Sequence, residues 1–410
     1  MVFSFDITAR DSKSRARVGR LAFGERIAET PAYVAVATNG YIRTLEPEDI
    51  PGTKTQIAIA NTYHLWRELG DEGLETYERL HAAMGWKDGI IMTDSGGFQV
   101  FSFGVGREHN IGKVKSHPAG ETEPRTVPSD GTGAGVRVTD AGVYFRDPSF
   151  GGTEEEQYLD AELSMKIQEE LGADIIFAFD EPSSPLHDKA YTRIAMERTH
   201  RWAERSLEAK VSDQALFGIV QGGGFEDLRR ESAELIGKLP FAGFGIGGAF
   251  SNSFGDTREQ TAHELLWSLP FLPEEKPRHL LGIGRIEDVF LGVEAGIDTF
   301  DCVIPTREAR HGSLWTRQGR LDIGGKGKYA DDGNPIAEDC ACPTCSIEQI
   351  SRRELHELFR AKNHRAGRLA TIHNLYFFNE LMERIREGIR EGRLEQVKQM
   401  YLKPDTMAAE

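Results

Sequence analysis

Cysteine is scarce: the 410 residues contain four. They stand at positions 302, 340, 342 and 345, so three fall within one short stretch, a poor disulfide framework but a compact metal-ligand cluster. That usage points to a reducing compartment. Also missing is any uninterrupted apolar run long enough to span a bilayer, and the N-terminal MVFSFDITARDSKSR lacks the apolar core of a signal peptide. The expectation is a cytoplasmic protein with no membrane partner. Positive charge is in short supply too, with 49 Lys and Arg against 65 Asp and Glu and a net charge of −16. Taken alone, this counts against a nucleic-acid partner, because phosphate binding is driven by lysine and arginine. One stretch departs from the trend: Ser351 to Arg393 carries ten Arg/Lys against six glutamates. It is equally compatible with an RNA-facing surface and with a solvated helix laced with ion pairs.

What is present is a rhythm. Eight short apolar runs, AYVAVAT, QIAIANT, GIIMTD, DIIFAFD, ALFGIVQ, GFGIGG, HLLGIG and DTFDC, recur between segments of loop or helical character. Runs rich in Val, Ile, Ala and Phe without strict alternation suit strands covered on both faces. Segments starting near Glu154, Asp188, Phe225, Thr257 and Arg285 read as amphipathic helices. Eight such units predict a (β/α)8 barrel, with 39% apolar residues to fill its core. Thr38, Asn61, Asp94, Asp180, Gln221, Gly247, Gly284 and Asp301 fall at or just past the strand ends, where barrel active sites are built. Residues 104–145, dense in Gly, Pro, Ser and Thr, read as a long loop insertion and a mobile flap. The expected division is a catalytic barrel over 1–325 and a zinc-binding subdomain with C-terminal helices over 326–400.

Cys340, Cys342 and Cys345 suit three corners of a tetrahedral Zn2+ site. His356, His364 and His373 are candidates for the fourth ligand. His373, in ATIHNLYFF, is the choice, since it would open an amphipathic helix packing back on the cysteine loop. A closed Cys3His site is structural and leaves no position for a catalytic water.

TDSGGFQVFS, FDEP, GIVQGG, GFGIGG, GIDTFDCVIPTREAR and the CxCxxC cluster with TIHNL together resemble the motifs of the bacterial-type tRNA-guanine transglycosylases, in that family's order and over nearly the whole chain. The resemblance implies exchange of guanine at the anticodon wobble position of GUN tRNAs for a 7-deazaguanine base, preQ1 first, in queuosine biosynthesis, by a homodimer. It implies Asp301 as nucleophile and Asp94 as general acid/base. Asp180 and Gln221 would read the base, Gly247 and Gly248 would let backbone approach it, and Phe98 would stack on it. Arg307 and Arg310 would contact the tRNA. Three stretches depart from the family: Pro182 stands where cysteine is usual, Ala249 to Ser253 replace Leu-Ala-Val-Gly-Glu, and Arg107 to Asp140 is longer than the family's usual loop. Those departures keep open a paralogue that inserts preQ0 or queuine or acts on DNA or another RNA. The alternative of another class is a non-catalytic RNA-binding subunit.

Overall fold

The computed structural model describes residues 2–101, 132–133, 136–147, 155–184, 187–247, 258–325 and 327–402. Each of the eight apolar runs forms a strand: β1 (Ala32–Val36), β2 (Ile57–Ala60), β3 (Ile90–Thr93), β4 (Ile175–Phe177), β5 (Ala215–Val220), β6 (Gly243–Ile246), β7 (Arg278–Leu280) and β8 (Thr299–Asp301). They close into a barrel in the order β4-β5-β6-β7-β8-β1-β2-β3, the predicted (β/α)8 architecture. Their side chains are almost entirely buried, as expected of parallel strands covered on both faces. Among the described residues no helix is long and apolar enough to cross a membrane.

Contacts group the chain into two compact units. The first comprises Asn61–Leu80 and Met92–Leu281. Within it α1 (Thr62–Glu75), α2 (Ala161–Leu171), α3 (Lys189–Ala209), α4 (Glu226–Ile236) and α5 (Arg258–Ser268) follow their strands. Asp160 and Asp188 cap α2 and α3 by accepting from the third helical N–H, at 2.9 and 2.8 Å. Part of the predicted loop insertion is a sheet instead. Thr132–Gly133, Val136–Val138 and Val143–Phe145 join Gln157–Leu159 in four antiparallel strands. The turn between the second and third is tied down: Trp202 and Arg205 donate to the Asp140 carbonyl, and Arg201 reaches the Asp140 carboxylate at 2.7 Å. The VRV and VYF segments alternate only over three residues each, too short to stand out in a glycine-rich context. The rest of the expected flap, 104–131 and 134–135, lies outside the described residues.

The second unit comprises Val2–Ala60, His81–Ile91 and the chain from Gly282. It holds α6 (Ile286–Ala295), α7 (Ile304–Arg310), α8 (His364–Arg390) and an N-terminal antiparallel sheet of Phe3–Arg10, Arg17–Phe23 and Arg26–Thr30. Arg17 in that sheet donates two hydrogen bonds to Asp298, at 2.9 and 2.6 Å, and the two side chains are 1% and 0% exposed. Breaking a buried pair leaves one charge uncompensated, at about 3–5 kcal/mol, whereas replacing both partners is far milder. Arg17→Met is therefore expected to lower the urea midpoint of unfolding strongly, and the double variant Arg17→Met/Asp298→Leu to recover most of the loss. Equal losses in the two variants would show that the ion pair is not what is being removed.

Helix α8 is 27 residues long and starts at His364, so His373 lies within the helix and does not open it. The ten arginines and lysines of 351–393 are largely engaged in this unit: Arg368 meets Asp49, Arg365 meets Glu348, Arg384 meets Glu387 and Arg390 meets Glu29. For these residues the ion-pair alternative holds.

Candidate active site and metal centre

The polar residues singled out in the sequence take their places at strand ends. Asn61, Asp94, Gln221 and Gly247 directly follow β2, β3, β5 and β6, and Asp301 is the last residue of β8. Asp180 comes three residues after β4.

In the first unit, Asp94 is a half-buried carboxylate held by three donors. Thr62 and Gly96 give backbone N–H groups to Oδ1 at 3.1 and 3.0 Å, and Asn61 gives its amide to Oδ2 at 2.5 Å. Asn61 has a second task, because its Oδ1 caps α1 by accepting from the His64 N–H at 2.9 Å. The Asp94 carboxylate thus sits against the first turn of a helix, where unpaired N–H groups and the helix dipole favour an anion. Gly96 reaches Asp94 with φ +80°, a left-handed backbone that suits glycine.

Ser95, in the same motif, carries no signal in the sequence that would mark it as part of the site. Its hydroxyl donates to Asp180 Oδ1 at 3.0 Å, while Gln221 donates to Oδ2 at 2.7 Å. Burial pushes the Asp180 carboxyl up to about 6, against the opposing hydrogen bonds from Gln221 and Ser95. A Cβ on Gly97 would come within 2.8 Å of the Asp180 carbonyl, and one on Gly247 within 2.4 Å of the Gln221 amide nitrogen. Both glycines are there for close approach. The Gly247 N–H is spent on the Val220 carbonyl at 3.0 Å, so this residue offers the site space and not a donor. Arg229, fully buried beside Glu264, braces the carbonyls of Gly223 and Gly247 from behind. Phe98 is 62% exposed, leaving a ring face open for stacking. Gly248 lies outside the described residues, as do Ala249 to Ser253.

In the second unit, Asp301 accepts from the Gly282 N–H at 2.9 Å. The next residue, Cys302, is buried, which pushes its thiol up to about 12. Arg307 is exposed and Arg310 half-buried on α7, the helix that follows.

Cys340, Cys342, Cys345 and His373 bring their ligand atoms within 4.8 Å of one another. The three sulfurs lie 3.6, 3.5 and 3.4 Å from a single atom, His373 Nδ1. One imidazole nitrogen has one lone pair and accepts one S–H, so three hydrogen bonds do not account for this convergence. The donor set of a tetrahedral metal site does, and it fits Zn2+: thiolates at about 2.3 Å and a nitrogen at about 2.0 Å would span an edge of about 3.5 Å. The other ring nitrogen, Nε2, donates to the Trp315 carbonyl at 2.8 Å, which leaves Nδ1 as the ligating lone pair. His356 is engaged elsewhere, against the Ile323 carbonyl at 2.7 Å.

A family model described as queuine tRNA-ribosyltransferase matches residues 11–127 and 131–405. The chain belongs to that family. A protein of Archaeoglobus fulgidus is 43% identical over 401 residues, 95% of this chain and 96% of its own. Queuine tRNA-ribosyltransferases of Aliivibrio fischeri and Caldanaerobacter subterraneus are 40% and 39% identical, each over at least 96% of both chains. The queuine tRNA-ribosyltransferase family is one of pentosyltransferases that exchange a base, and this chain is such an enzyme, with a Cys3His metal-binding cluster.

Proposed function

We propose that this chain replaces guanine at the wobble position of GUN tRNAs with a 7-deazaguanine base, preQ1 first, as a step of queuosine biosynthesis. The observation that carries the reading is the buried pair of Asp180 and Gln221 at the barrel's strand ends. A carboxylate accepts from the N1–H and exocyclic amine of guanine, and an amide meets O6. Asp301 attacks ribose C1′ as the bond to guanine breaks, forming a ribosyl ester. Asp94 delivers a proton to the departing purine and takes one from the incoming base, whose nitrogen then displaces Asp301. Two displacements at C1′ retain its configuration. Phe98 stacks on the purine, and Arg307 and Arg310 contact the anticodon loop. The four-residue cluster holds zinc, and its closed donor set makes the ion structural. Pro182, which has no N–H to offer two residues beyond Asp180, favours a second reading for the incoming base, preQ0 or queuine in place of preQ1.

The test is incorporation of labelled guanine into transcribed tRNA, followed by displacement of the label with each unlabelled 7-deazaguanine in competition. Failure to label tRNA while labelling another nucleic acid overturns the substrate; preference for queuine or preQ0 overturns preQ1.

The Asp180 carboxyl adds a pH dependence with a definite sign. Reading the N1–H and amine needs the ionised form, so base affinity is expected to fall as pH drops through about 6, with KM for the base rising about tenfold per further pH unit. For stability the sign is opposite to that of a salt-bridged aspartate. A raised carboxyl favours the folded state below its ordinary value and loses that contribution as pH rises through about 6. A base KM that is flat between pH 5 and 7, roughly one unit on either side of the midpoint, contradicts the assignment.

A further inference from the structure

Several arginines of the second unit are spent on carboxylates, as described for α8. Arg43, Arg307 and Arg310 are not: among the described residues none of the three guanidinium groups makes an ion pair or a hydrogen bond. They are also together. Arg307 and Arg310 are three residues apart on α7, hence on one helical face. The Arg310 guanidinium is depressed by its own burial and then by the charges of Arg43 and Arg307. Three like charges gathered without a counter-ion, in a chain of net charge −16, repel one another until an anion arrives.

Strand pairing explains the gathering. β8 runs parallel to β1 with Asp301 opposite Val34. The segments leaving the two strands therefore emerge at the same barrel end: α7 after Asp301, and the loop with Arg43 after Val36. That loop is held in place. Ile42 is buried, Leu45 donates to the Ile42 carbonyl at 3.0 Å, and the Thr44 hydroxyl bridges to Gly367 and Thr371 on α8 at 3.2 and 2.9 Å. Thr44 has φ +78°, a conformation that β-branched residues rarely take and that clusters at binding sites. Arg43 itself is exposed.

We propose that Arg43 joins Arg307 and Arg310 in a cradle for a backbone phosphodiester of the RNA, next to Asp301. Guanidinium forks match phosphate oxygens in pairs. The cradle has a purpose specific to base exchange. When the base has left, the nucleotide keeps only its ester and its backbone, and a held phosphate stops C1′ from drifting before the second base arrives. The proposal rests on RNA being the substrate.

The experiment is anisotropy of a labelled anticodon stem-loop over a salt series, with wild type, Arg43→Gln, Arg43→Lys and Arg20→Gln. Arg20 is an exposed arginine of the N-terminal sheet whose loss changes net charge equally. Arg43→Gln is expected to weaken binding about tenfold and to lower the slope of log affinity against log salt by about 0.7–0.9, one phosphate contact. Arg43→Lys is expected to restore the slope but only part of the affinity. In steady-state exchange, KM for tRNA rises in Arg43→Gln and KM for the free base does not. An unchanged salt slope, an equal change in Arg20→Gln, or absence of stem-loop binding by the wild type overturns the cradle. Binding that depends on Arg43 in a protein that incorporates no base supports the cradle and overturns the exchange reading instead.

Discussion

Asp301→Ala is expected to abolish incorporation of labelled guanine, with kcat falling by roughly 10⁴-fold or more, the scale on which removal of a nucleophile acts. The reason is specific to double displacement: without the carboxylate there is no covalent step, and the remaining groups only bind. Asp301→Asn sharpens the test. The amide keeps the shape and can still accept from the Gly282 N–H, but it is a poor nucleophile, so a loss as deep as in the alanine variant separates chemistry from geometry. A denaturing gel should show RNA covalently attached to wild type and to neither variant. Asp94→Asn is expected to cost less, about 10²–10⁴-fold, as befits a proton-transfer group. Equal labelling by wild type and Asp301→Ala would end the nucleophile assignment.

The second large effect is expected at the metal. Zinc held by a Cys3His set contributes about 10–16 kcal/mol of apparent folding free energy, comparable with the whole stability of an ordinary domain at about 5–15 kcal/mol. Cys342 is fully buried, and His373 belongs to a helix whose neighbouring turns pack on a small core that includes Leu355, Ala366, Leu369 and Ala370. Cys342→Ala, or chelation of the wild type, is expected to shift thermal unfolding downward by many degrees, and added zinc should rescue the chelated wild type but not the variant. Metal analysis should find one zinc per chain in wild type. If chelation abolished base exchange while unfolding stayed in place, the ion would be catalytic and the structural reading wrong.

The barrel was legible because its signal is local: β4 announces itself in DIIFAFD as plainly as β5 does in ALFGIVQ, and Asp188, Phe225 and Arg285 mark the residues just before their helices. The metal-binding cluster was legible through the spacing of Cys340, Cys342 and Cys345, with His373 chosen from three candidate histidines. What was not legible depends on partners distant in the chain. Nothing local says that Asn61 both caps α1 and orients Asp94, 33 residues away, or that Ser95 fixes Asp180, 85 residues away. Arg43 resembled any surface arginine until its neighbours were known to be Arg307 and Arg310. The sequence reading opens α8 at His373 although the helix starts at His364, because Arg365, Gly367 and Arg368 interrupt the apolar pattern of its first turns, while the core that buries Ala366, Leu369 and Ala370 is supplied largely by other segments. The hairpin around Asp140 was hidden by composition, and is held by contacts to α3.

The pair of Arg17 and Asp298 also bears on how the molecule is made. Its partners are 281 residues apart in the chain, and Asp298 lies immediately before β8, whose pairing with β1 helps to close the barrel. At ordinary rates of about 5–20 residues per second, the ribosome releases Asp298 roughly 15–60 s after Arg17. Throughout that interval Arg17 has yet to meet Asp298, and β1 presents an open edge. Barrel closure is therefore a late event of high contact order, and the strand that ends in Asp301 is among the last to find its place.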